Sequence, residues 1–285
     1  GHTHNEHVFT IISIIVKAEK DGEGIIFTAA DIIKFFDKED MYDVMGELYN
    51  SEVDPKLCRL WYKMNEETVI KVKTANSISE EGRAGPCVGQ GSGGGALNSQ
   101  LSLDRGIEDY FRGSADEYYY GNVRCQGVIY QDDTGRSSRT VSQAQSGNTK
   151  LNAVFKDKGV EAHPDKSSYI VCGSKKYKDK VIAELKITPL KFGDFNMKHE
   201  KVIKYLGMKL HEDGIAASVQ ATVEERSGKI RGATFEIKNI IEDFRMAALG
   251  GLMGAWVLWE RALVPSLLAG CCNWVNISQK TIDQL

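Results

Sequence analysis

The stretch Gln126-Gly127-Val128-Ile129-Tyr130-Gln131-Asp132-Asp133-Thr134-Gly135 constrains this chain more than any other. An apolar run meets two adjacent carboxylates and then Thr-Gly. That order predicts a strand running into a tight turn with the acids at its tip. Two anions held side by side cost free energy unless a cation neutralises them. Carboxylates fixed on a hairpin suit Mg²⁺, which keeps several waters and takes its other ligands from substrate phosphates. An Asp-Asp pair also fits an ordinary turn, because Asp is a common turn residue. The rest of the chain decides between the two.

A second acid is placed in a similar way. Gly24 to Ala30 is a short apolar run ending at Asp31, a pattern that predicts a buried strand delivering a carboxylate at its C-terminal end. If the two strands are neighbours, Asp31, Asp132 and Asp133 converge at one edge of a sheet. Three such carboxylates can hold two Mg²⁺ ions about 3.5–4 Å apart, the arrangement used for in-line displacement at phosphorus. Mn²⁺ can substitute. A third feature lies between them, the glycine-rich run Gly89-Gln90-Gly91-Ser92-Gly93-Gly94-Gly95-Ala96. Glycines let a phosphate or base approach the backbone, and a following helix N-terminus favours anions. The run lacks the Lys-Ser/Thr ending of a P-loop and the spacing of a dinucleotide fingerprint.

The remaining pattern is helix over 5–19, helices over 37–49 and 55–65, and a half-buried strand over 67–74 with a hairpin return near 76–79. A helix follows over 138–158, a strand over 167–172 and a helix over 175–184. From about 201 a short apolar segment precedes sequence that reads as helical to about 272. This order predicts an α+β sheet domain with a helical appendage. The 285 residues, 42% of them hydrophobic and 26% charged, suit one large globular domain or two smaller ones. The formal net charge of −3 is unlike that of many autonomous nucleic-acid enzymes, which are basic, although local patches govern binding. The six cysteines show no CxxC pair, which disfavours zinc and points to reduced thiols. An intracellular setting, cytoplasmic or nuclear, with no membrane segment is the expectation.

The motif order resembles that of polymerase palms, and specifically of the reverse transcriptases of non-LTR (LINE-type) retrotransposons. Asp31-Ile32-Ile33-Lys34-Phe35-Phe36-Asp37 resembles their first palm motif. Gly89-Gln90-Gly91-Ser92 is similar to the second, with Gly-Gly-Gly-Ala in place of the usual proline-containing continuation. Tyr130-Gln131-Asp132-Asp133 resembles the third, Asp165-Lys166-Ser167 the fourth and Lys204-Tyr205-Leu206-Gly207 the fifth. Ala262-Leu263-Val264-Pro265-Ser266-Leu267-Leu268 is similar to a thumb-helix segment.

The resemblance implies a palm at 1–200, with a remnant of fingers, and a helical thumb at 201–285. It implies RNA-directed DNA synthesis on an RNA template and a DNA primer, with Asp31, Asp132 and Asp133 as catalytic metal ligands. The Ile32 carbonyl would complete a metal shell. Phe36 would act as a steric gate against the ribose 2′-hydroxyl, so that dNTPs are preferred. Gln90 and Gly91 would contact the nucleotide and template base, Lys166 the pyrophosphate, and Tyr205 and Gly207 the primer end. About 30 residues precede Asp31, fewer than the basic fingers of the family require. Fingers supplied by another part of a larger polyprotein are the corresponding expectation. An RNA-templated RNA polymerase palm and a non-catalytic, retroelement-derived nucleic-acid-binding module remain the alternatives.

Overall fold

The structure is a computed structural model. It describes residues 4–33, 35–38, 40–66, 69–71, 73–74, 77–83, 103, 107, 119–120, 123–124, 127–130 and 133–243. The first helix, α1 (His4–Lys20), carries its buried residues at Val8, Ile11, Ile12, Ile14, Ile15 and Ala18. That spacing lines one helical face. Each fully buried Ile contributes about 1.5–3 kcal/mol through apolar burial. The helix stops at Asp21-Gly22, where Gly22 adopts φ 70°, a conformation that glycine takes without strain.

Strand β1 (Gly24–Asp31) is buried along its length except at Asp31. An acid rather than an apolar residue at the end of that run is what lets the strand emerge at the sheet edge. The first helical segment expected after it divides into α2 (Phe35–Lys38) and α3 (Met41–Asn50). The reason is local: the Asp40 side chain accepts from the Tyr42 N–H at 2.8 Å and caps a new helix. Helix α4 (Pro55–Glu66) begins on Pro, the residue best suited to a first helical position. Of the strand expected over 67–74, the described residues show β2 (Val69–Ile70), paired with β3 (Gly82–Arg83), and an isolated bridge from Lys73 to Ile78. The bridge does provide the anticipated hairpin return. A further two-residue ribbon joins β4 (Tyr119–Tyr120) to β5 (Val123–Arg124).

Strands β6 (Gly127–Tyr130) and β7 (Asp133–Ser138) form an antiparallel hairpin in which Tyr130 faces Asp133. The sequence reading ended the strand region at the acids and began a helix at 138. Instead β7 is a buried strand of polar composition, Asp-Thr-Gly-Arg-Ser-Ser. Buried polar groups need partners; Thr134 and Arg136 have them, while the buried Ser138 Oγ has none among the described residues. Thr134 Oγ1 donates to the Ala30 carbonyl at 2.8 Å. Arg136 donates to the carbonyls of Ala144 at 3.1 Å and Gln143 at 2.9 Å. The following helix, α5 (Val141–Asp157), therefore starts three residues late, with Thr140 as its N-cap, and ends at Gly159 with φ 66°.

The rest of the chain comprises β8 (Ser168–Gly173), α6 (Lys175–Ile187), β9 (Lys191–Phe192), β10 (Phe195–Asn196), β11 (Lys198–His199), β12 (Val202–Tyr205), β13 (Met208–His211) and the long helix α7 (Ile215–Asp243). The main sheet has the order β11-β8-β1-β7-β6. The fold is thus α+β, with antiparallel pairing of β1 to β7 and β7 to β6. The chain divides into two compact units: Gly1–Ile25, Ile170–Ile182 and His199–Leu285 in one, Ile26–Tyr169 and Ala183–Lys198 in the other. No helix among the described residues is long and apolar enough to cross a membrane. Cys58 and Cys172 are buried free thiols, and burial pushes the Cys172 thiol up to about 12.

Gly147 on α5 lies directly over the Arg136 guanidinium, and a Cβ there would occupy the guanidinium's space. Gly147→Ala must break the Arg136 bonds to the two carbonyls. It should lower stability by about 1–3 kcal/mol, measured by urea denaturation, whereas Gly46→Ala, with open space around it, should not destabilise.

Candidate functional site

The first part of the site is set by strand register. β1 and β7 are antiparallel, and Asp31 pairs directly with Asp133. Directly opposed residues put their Cβ atoms about 4.5–5.5 Å apart on one face, where like charges repel. Asp133 is half-buried, and the Asp31 side chain retains 21% of its exposure. Sheet pairing therefore fixes two carboxylates at one end of neighbouring strands. Asp132, one position earlier, lies outside the described residues, as do Gln90 and Gly91.

A short turn brings a cation to these acids. The His163 carbonyl accepts from the N–H groups of Lys166 at 3.2 Å and Ser167 at 2.9 Å, and His163 Nδ1 accepts from the Asp165 N–H at 3.2 Å. The His163 N–H in turn donates to the Asp31 carbonyl at 2.7 Å, which ties the turn to the end of β1. The result places Lys166 Nζ 3.2 Å from Asp31 Oδ2. Asp165 faces the other way, toward Lys198 Nζ at 2.9 Å. The hydrogen bond from Lys198, and then its charge, hold the Asp165 carboxyl below the usual range.

Ile32 forms an antiparallel bridge with Ala162 in which the flanking residues make the hydrogen bonds, the Ile33 N–H to the Glu161 carbonyl and the His163 N–H to the Asp31 carbonyl. Its side chain is buried, so only its backbone is available to a ligand. Phe36 belongs to α2, and its side chain lies outside the description. Among the described residues no group of three or more His, Cys, Asp or Glu is arranged to hold a metal ion. Asp31 and Asp133 supply two carboxylates of the three expected, and the third position is Asp132.

Tyr205 and Gly207 belong to the other compact unit. Strands β12 and β13 pair antiparallel, with Tyr205 facing Met208 across a two-residue turn, Leu206-Gly207. Both turn residues have positive φ, 45° and 73°. This is the backbone twist that two-residue hairpins favour, usually with Asn-Gly. Leu at the first position is unusual, and its buried side chain offsets the cost. Tyr205 is also buried, so its ring packs in the core and the turn offers the surface its exposed Gly207 backbone.

Helix α7 holds this hairpin by a repeat that the sequence reading missed. The His211 N–H donates to Ser218 Oγ at 2.8 Å, and the Lys209 N–H to Thr222 Oγ1 at 2.9 Å. Arg226 donates to the Gly207 carbonyl at 2.9 Å. Steps of four along a helix rise about 6.0 Å. Steps of two along a strand advance about 6.6–6.8 Å. The two spacings nearly match, so side chains at 218, 222 and 226 serve backbone groups at 211, 209 and 207 in turn. The signal was present as Ser-x₃-Thr-x₃-Arg on a helix that follows a hairpin.

Beside this ladder, Glu225 gathers three lysines. Its Oε1 lies 2.6 Å from Lys229 Nζ and 3.2 Å from Lys204 Nζ, and its Oε2 lies 3.5 Å from Lys209 Nζ. Lys204 and Lys209 are register partners across the hairpin. The hydrogen bond from Lys229, joined by that from Lys204, draws the Glu225 carboxyl down to about 2 against a partial opposing effect of burial.

Two measurements check this hairpin. Gly207→Ala places a side chain at φ 73° and should cost about 1–2 kcal/mol in thermal denaturation. Glu225 has a folded-state value depressed from 4.5 to about 2. Its contribution to stability is therefore complete above the unfolded value and is lost as pH falls through that window. Glu225→Gln should flatten the stability profile there, read from denaturation midpoints across acid pH.

No protein-family model matches the sequence, and no curated protein matches it. Among solved structures, apo telomerase from Candida Tropicalis, truncated from the C-terminal domain, is similar with a TM-score of 0.44 and 9% identity. The similarity covers 73% of this chain and 38% of that one. The chain thus spans well under half the length of that telomerase, and the likeness is too distant to assign an activity.

Proposed function

We propose that this chain is the palm and thumb of a reverse transcriptase, adding deoxynucleotides to a primer 3′ end on an RNA template. The observation that carries the reading is the register of β1 on β7. It sets Asp31 opposite Asp133, while the hairpin bearing Asp133 keeps the Tyr-x-Asp-Asp spacing. An opposed carboxylate pair is costly in a structural sheet and useful where a divalent cation binds. The affiliation to non-LTR retrotransposons rests on the sequence motifs, and so does the division into a palm to 200 and a thumb from 201.

In this reading Asp31, Asp132 and Asp133, with the Ile32 carbonyl, would hold two Mg²⁺ ions, which would supply Lewis-acid activation of the primer hydroxyl and charge stabilisation at the triphosphate. Lys166, already on Asp31 at 3.2 Å, exchanges that contact for the phosphates of an incoming nucleotide and stabilises the departing pyrophosphate. Phe36 excludes the ribose 2′-hydroxyl. Gln90 and Gly91 contact the base pair being formed. The Leu206-Gly207 turn offers its backbone to the primer strand, with Tyr205 anchoring it from the core.

Primer extension by the full chain on an RNA template, with Mg²⁺ or Mn²⁺, tests the reading. Deoxynucleotide addition should occur and fall at least about 10²-fold in Asp132→Asn and Asp133→Asn. Equal use of ribonucleotides would favour an RNA polymerase palm. Template binding with no addition under any metal would favour the non-catalytic module.

A further inference from the structure

The cluster around Glu225 has a charge imbalance that its own contacts leave in place. Lys204 and Lys209 stand directly opposite each other across β12 and β13, a like-charge pairing that is destabilising in a hairpin. Lys229 reaches the same carboxylate from the next turn of α7, and the adjacent Arg226 holds the Gly207 carbonyl of the turn. Three lysines thus share one anion. The lysine side chains remain 56%, 34% and 65% exposed at 204, 209 and 229, so a ligand can reach them. The carboxylate divides its two oxygens among three ammonium groups. A phosphodiester also presents two anionic oxygens, at similar separation, and is the commonest acceptor for such lysines in nucleic-acid complexes.

We infer that Lys204, Lys209 and Lys229 form a binding site for a nucleic-acid backbone phosphate, and that Glu225 is its built-in counter-anion, displaced when the phosphate enters. The carboxylate keeps the opposed lysines converged while the site is empty. It also sets an energetic threshold for binding, because each phosphate must take the place of an ion pair already made. The inference rests on the polymerase reading for the identity of the ligand.

The two roles give opposite signs in one variant. Glu225→Gln leaves Lys204 and Lys209 unneutralised, so the folded protein loses thermal stability, while the affinity for a backbone phosphate rises. Fluorescence anisotropy of the full chain with a fluorescein-labelled RNA–DNA primer–template tests this across a salt series. Lys204→Gln/Lys209→Gln should weaken binding about tenfold and flatten the salt slope by about two. Glu225→Gln should tighten binding about threefold and steepen the slope by about one. A control pair on an exposed part of α6, Lys175→Gln/Lys176→Gln, should bind as wild type does.

Three results would overturn the inference. The lysine pair could bind like the control pair. Glu225→Gln could lose affinity together with stability, as a purely structural residue would. Inorganic pyrophosphate could displace the labelled hybrid from wild type at sub-millimolar concentration but not from the lysine pair, which would make this a free-polyphosphate site. Asp133→Asn separates the two readings. If it abolishes extension while these binding shifts persist, both stand. If wild type shows the shifts and never extends a primer, the phosphate site stands and the polymerase reading falls.

Discussion

The pairing of Asp31 with Asp133 across β1 and β7 is the constraint on which the rest of the site depends. A one-residue slip in that register would send every β7 side chain to the opposite face. Buried features on either side of the acid resist such a slip. Thr134 bonds the Ala30 carbonyl, and Arg136 is locked beneath α5 by two carbonyls and a glycine. The polar composition of β7 is thus the means by which a charged pair is held in place. A wholly apolar strand would pack as well but would lack these directional bonds.

The second unit applies the same logic to a turn. Leu206 and Gly207 occupy a conformation that Leu rarely adopts, and α7 holds it through three contacts at i, i+4 and i+8. The geometric near-match of helix and strand rises makes this possible without bending either element. It also leaves the opposite sides of the lysines facing solvent. Rigid backbone and exposed charge are the two properties a phosphate-holding surface needs.

Much of this was legible in the sequence. The strands ending at Asp31 and at Tyr130 follow from apolar runs that meet acids, and β8 from the apolar run over 167–172. Lys166 stands out only through a motif, and the contact it makes in the structure is with Asp31 Oδ2 at 3.2 Å. Other features were hidden for physical reasons. Strand β7 has no apolar alternation, because its buried Thr134 and Arg136 side chains bond backbone carbonyls rather than pack against an apolar face. The break between α2 and α3 depends on a single cap at Asp40. The lysine cluster depends on hairpin register, which composition does not encode. Nothing in the sequence marks Glu225 out from the other charges of α7.

The polymerase reading requires Asp31 and Asp133 to form one divalent-cation site. Mn²⁺ titration followed by electron paramagnetic resonance, with no nucleotide added, tests it without requiring turnover. Wild type should bind Mn²⁺ tightly enough to quench the free-ion signal at stoichiometric protein, and Asp31→Asn and Asp133→Asn should each lose that binding. Equal Mn²⁺ binding by wild type and both variants would contradict the account, because the opposed carboxylates would then be only a feature of the sheet.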